Sequence, residues 1–79
     1  MLSERIQAEI DIFLKNVAYL RKLHGLSKAE MAKKLHIGVN TLTKIENGQL
    51  PPRVNVKIFF YIEKQFGISA QDLFKKLWE

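Results

Sequence analysis

The chain has 79 residues, 47% of them hydrophobic and 27% charged, with a net charge of +5; it is long enough for one domain with one compact core. It contains no cysteine, which excludes a disulfide framework, a thiolate zinc site and thiol catalysis. Its two histidines, His24 and His36, lack the additional ligands a structural metal needs, so no metal and no cofactor are expected. No signal-peptide pattern opens the chain, and no run approaches about 18 apolar residues. The expectation is a soluble cytoplasmic protein without a membrane partner.

The charge is unevenly spread. Residues 1–11 set Arg5 against Glu4, Glu9 and Asp11, a net of −2, and residues 61–79 balance three lysines against three carboxylates. Residues 12–60 hold nine lysines and arginines against only Glu30 and Glu46, which leaves +7. A basic centre between neutral ends points to a face that meets a polyanion, either nucleic acid or an anionic membrane.

Taken in chain order, Ile6, Ile10, Phe13, Val17 and Leu20 recur at alternating steps of four and three, one stripe of an amphipathic helix from Ser3 to Leu23. Ser3 is its expected N-cap and Gly25 its left-handed stop. Ser27-Lys28-Ala29-Glu30 fits a capping box opening a short helix whose inner face is Met31, Ala32 and Leu35. His36-Ile37-Gly38 interrupts it, and helical spacing resumes from Val39 to Glu46 with Leu42 and Ile45 inward. Gly48 and Pro51-Pro52 stop that segment.

Asn55 is the expected cap of a fourth helix bearing Val56, Phe59, Phe60, Ile62 and Phe66, ended by Gly67. Ser69-Ala70-Gln71-Asp72 resembles a weaker capping box and predicts a fifth helix with Leu73, Phe74, Leu77 and Trp78. No segment alternates with period two, so the expected fold is all-α, five helices in a single domain over residues 1–79. Two short helices joined by a three-residue turn must cross steeply, and the small Ala32 lets them approach.

Gly25-Leu26-Ser27, then Glu30, Ala32 and Leu35, then Thr41 to Gly48, strongly resemble the XRE family of phage repressor and Cro-like regulators, with Leu20-Arg21 opening the pattern. The resemblance runs from about Phe13 to Phe74. It implies a lambda-repressor-like domain with an extended first helix and a helix-turn-helix at about 28–46. It also implies a sequence-specific regulator of transcription, a repressor that binds double-stranded DNA as a homodimer, with no small-molecule ligand.

By that resemblance Val39, Asn40 and Lys44 face the bases. The chemistry suits them: asparagine can pair with adenine, lysine can donate to guanine, and valine can pack on a thymine methyl. Lys28, Thr43, Asn47 and Arg53 fall where the family meets phosphates. Arg21 and Glu46 match a pair that ties the first helix to the end of the recognition helix. The C-terminal Phe74, Leu77 and Trp78 are the candidate dimer surface, with Ile6 and Ile10 as a second one.

Three positions depart from the family pattern. Lys28 stands in place of a glutamine, His36 in place of the turn glycine, and Gly38 in place of a hydroxyl-bearing cap. An enzyme is not expected, because there is no nucleophile–base set, phosphate-cradling loop or carboxylate pair. The rival readings keep the fold and change its task, to an antitoxin that also binds its own operator or to a protein-bridging module.

Overall fold

The computed structural model of the chain describes residues 3–52, 54 and 56–79. Four α-helices, α1 (Glu4–Leu23), α2 (Lys28–Leu35), α3 (Val39–Glu46) and α4 (Lys57–Phe66), are followed by a single 3₁₀ turn at Asp72–Phe74. No strand occurs among the described residues.

Helix α1 begins where Ser3, in extended conformation, accepts a hydrogen bond at 3.2 Å from the Ile6 amide. Its apolar stripe buries Phe13, Leu14, Val17 and Leu20, whereas Ile6 remains 46% exposed. The first turns of α1 therefore project beyond the core that the rest of the helix covers. The helix ends in a Schellman arrangement. Gly25 takes φ 65°, its amide donates to the Lys22 carbonyl, and the Leu26 amide donates to the Arg21 carbonyl.

Helix α2 opens with the reciprocal box. The Ser27 hydroxyl accepts from the Glu30 amide at 3.1 Å, and the Glu30 carboxylate accepts from the Ser27 amide at 2.8 Å. Hydrogen bonding of the carboxylate to Ser27, through its backbone amide first and its side chain second, holds the Glu30 carboxyl below its ordinary pKa. A depressed carboxylate stabilises the fold above its unfolded pKa of about 4.3 and loses that contribution as pH falls through the folded value. The stability difference between wild type and Glu30→Gln should therefore close between about pH 5 and about pH 3 in urea melts. A gap that stays constant through this range would refute the assignment.

The turn after α2 places His36 at φ 58°, ψ 41°, the left-handed region that most side chains avoid. Its ring stacks on Tyr61 of α4, with centroids 4.0 Å apart and planes 19° apart. Such a stack contributes about 0.5–1.5 kcal/mol, comparable to the left-handed penalty of about 1–2 kcal/mol. Glycine is therefore not required at this turn.

Helix α4 begins at Lys57 with no side-chain cap from Val56, and Asn55, the expected cap, lies outside the described residues. Gly67, at φ 71°, ends the helix as expected. Ile58 and Ile62 are buried against α2, and Phe59 packs tilted on Phe13 with ring centroids 5.1 Å apart.

The expected fifth helix is corrected to one 3₁₀ turn, and the reason is Asn16. This side chain is fully buried, and its Nδ2 donates to the carbonyls of Leu73 and Lys75, both at 2.7 Å. Its Oδ1 accepts from the Leu77 amide at 3.0 Å. In an α-helix the Leu77 amide would donate to the Leu73 carbonyl. Asn16 occupies both groups instead, so the chain leaves the turn extended at Lys75, with φ −109° and ψ 146°.

Candidate nucleic-acid interface

Helix α3 is held by its inner face. Leu42 and Ile45 are fully buried with Met31, Ala32 and Leu35 of α2 and Val17 and Leu20 of α1. With 3.6 residues per turn, that anchorage turns Asn40, Lys44 and Asn47 to the opposite side and puts Val39 and Thr43 on its flanks. The exposures follow: Asn40, Lys44 and Asn47 are exposed, Val39 is 44% exposed, and Thr43 is half-buried. Asn40 and Lys44 stand one turn apart on one face, unobstructed.

Gly38 enters α3 in extended conformation and supplies no side-chain cap. At the other end the Asn47 amide bonds back to the Thr43 and Lys44 carbonyls, and the Gln49 amide donates to the Lys44 carbonyl at 2.9 Å. Gly48, at φ 82°, makes that reversal possible. Lys28 is exposed in the first turn of α2. Arg53 lies outside the described residues, so its side chain has no place in this geometry.

Arg21 and Glu46 meet as a two-point pair. Arg21 Nε donates to Glu46 Oε2 at 2.6 Å and an η-nitrogen donates to Oε1 at 2.9 Å. The remaining η-nitrogen donates to the Leu26 carbonyl at 3.0 Å. The Arg21 and Glu46 side chains are 16% and 9% exposed, and donating to the Glu46 carboxylate raises the Arg21 pKa above its already high ordinary value. One guanidinium thus joins α1, the turn before α2 and the last residue of α3.

Over residues 17–73 the chain matches the family model described as helix-turn-helix. The chain belongs to the XRE helix-turn-helix family. Members of this XRE group are DNA-binding regulators of transcription. The chain is also 39% identical over 56 residues to an uncharacterized HTH-type transcriptional regulator of Methanocaldococcus jannaschii, covering 71% of this chain and 82% of that one. No solved structure matches the chain significantly. Among the described residues, no helix is long and apolar enough to cross a membrane, and no cluster of His, Asp and Glu could hold a metal ion.

The three C-terminal residues named as a dimer surface divide in the fold of this XRE domain. Phe74 packs against Phe13 and Phe59 with ring centroids 5.9 Å apart in both cases, and Leu77 is half-buried against the core. Trp78 alone is exposed, at 36%, under the ammonium of Lys15. Sequence reading passed over Asn16, although a signal was available. Position 16 borders the stripe formed by Phe13, Leu14, Val17 and Leu20, on the Leu20 side, where a polar residue that becomes buried must find partners.

Proposed function

We propose that the chain is a sequence-specific transcriptional repressor that reads the major groove of double-stranded DNA with α3, acting as a homodimer in the cytoplasm. The reading is carried by the pairing of exposed Asn40 and Lys44 on the face of α3 opposite buried Leu42 and Ile45. In the proposed complex Val39, Asn40 and Lys44 touch base edges, while Lys28, Thr43, Asn47 and Arg53 hold phosphates. The excess of positive charge over residues 12–60 supports this division, since neutralised phosphates supply affinity and base edges supply sequence. A module seated in the groove represses by occupying DNA that the transcription machinery needs.

The homodimer follows from information content. One helix of eight residues reads only a few base pairs, too few to mark a site in a genome, and a two-fold pair doubles them. Leu77 and Trp78 remain the proposed contact at the C-terminus. Phe74 is committed largely to the core.

Selection of bound duplexes from a random pool tests the reading. The wild-type protein should return a near-palindromic motif, with two chains per duplex by light scattering at saturation. Asn40→Ala should cost about 1–3 kcal/mol on that motif and relax preference at one base pair per half-site. Recovery of the unchanged motif by Asn40→Ala would remove Asn40 from the readout. A pool with no enriched motif would remove sequence-specific binding altogether.

A further inference from the structure

A second basic surface lies beside the recognition helix. Lys15, Ala18, Tyr19 and Lys22 recur on one face of α1 and, with Glu46 and Trp78, line an open groove of about 350 Å³. Ala18 and Tyr19 are half-buried, while Lys15 and Lys22 are exposed. The ammonium of Lys15 sits 6.0 Å from the centre of the Trp78 ring, close enough for the aromatic face to attract it.

The groove is positive although it contains a carboxylate. Both oxygens of Glu46 are engaged by Arg21, which neutralises that charge. The ion pairs formed elsewhere among the described residues, by Arg5, Lys75 and Lys76, include neither Lys15 nor Lys22. Two unneutralised ammonium groups therefore stand seven residues apart, about 10 Å along the helix at its rise of about 1.5 Å per residue.

We propose that this groove is a phosphate-binding surface for duplex DNA flanking the base pairs read by α3. Lys15 and Lys22 each hold a phosphate of the flanking backbone, while Trp78, assigned above to the dimer contact, only bounds the groove. The inference rests on the proposed DNA reading and extends it to residues outside the helix-turn-helix. Two observations favour a nucleic-acid backbone as occupant. The groove starts at Glu46, the last residue of α3, beside exposed Lys44 and Asn47. DNA carries a charge about every 1.7 Å, so the backbone leaving the α3 site stays densely anionic along this flank.

The test measures affinity against salt for wild type and for Lys15→Gln/Lys22→Gln, on two duplexes carrying the motif obtained by selection. One extends about 10 bp beyond the motif on each side; the other stops at its last base pair. On the long duplex the variant should lose about two units of slope in log affinity against log salt. Equivalently, the advantage of wild type should shrink about 12-fold between about 50 and about 200 mM salt. On the short duplex the two slopes should coincide.

Equal slopes on the long duplex would overturn the proposal. So would an equal loss on both duplexes, because the lysines would then act through general charge or on phosphates inside the motif. Lys28→Gln, measured alongside, should flatten the slope on both lengths, which shows that the helix-turn-helix contacts are intact even where the flank assignment fails. Salt-insensitive binding by wild type would bring down the DNA reading itself, and the flank assignment with it.

Discussion

Asn16→Ala is expected to lower stability by about 3 kcal/mol or more. The substitution strands two carbonyls and one amide that Asn16 now satisfies at 2.7, 2.7 and 3.0 Å. Each typical hydrogen bond contributes a net of about 1 kcal/mol, and a buried polar group left without a partner costs about 1–3 kcal/mol. For a domain of this size, with a total stability of roughly 5–10 kcal/mol, that is a large share. Thermal melts followed by circular dichroism should show a midpoint about 15 °C lower. Asn16→Asp should be no better despite its similar shape, since it replaces both donors with an oxygen facing two carbonyl oxygens. A loss under about 1 kcal/mol for Asn16→Ala would mean that water replaces the amide.

Breaking the Arg21–Glu46 pair is the other large effect. Either Arg21→Ala or Glu46→Ala leaves a mostly buried charge without its partner, at a cost of about 3–5 kcal/mol. Arg21→Met/Glu46→Leu should recover much of that loss, because apolar side chains of similar size avoid the desolvation of both ions. A double-mutant cycle in urea measures the coupling. Single variants that lose under about 1 kcal/mol would reduce the pair to a surface contact. The pair also bears on recognition, since Glu46 is the last residue of α3. The apolar double variant therefore separates the stability of the fold from the placement of the recognition helix.

Local rules carried most of the secondary structure. Ser3, the Ser27–Glu30 box, Gly25 and Gly67 mark helix ends through groups within five residues of each other, so they were readable directly. The left-handed His36 was legible as a departure from glycine. The Tyr61 ring that stacks on it is 25 residues away and left no local mark. The end of the chain failed for the same reason. Ser69 does accept a hydrogen bond from the Asp72 amide at 3.3 Å, as a capping residue would, and the first turn forms. What stops it from growing is an asparagine in α1, and helical spacing in Leu73, Phe74, Leu77 and Trp78 cannot reveal a competitor from elsewhere in the fold. The face of α3 was legible because Leu42 and Ile45 fix its rotation. The basic groove was not, because Lys15 and Lys22 adjoin Trp78 only after the C-terminal segment folds back along α1.

That fold-back has a consequence for synthesis. The partners of Asn16 lie 57, 59 and 61 residues further along the chain, and Leu73 is fully buried in the core. A nascent chain emerging from the ribosome can form α1 and α2 early, because their caps and turns are local. Its core stays open on one side, with a buried-type amide exposed to water, until residue 77 has left the exit tunnel. Closure of this core therefore waits on residues 73–77, and a chain cut before Leu73 leaves Asn16 without its three partners.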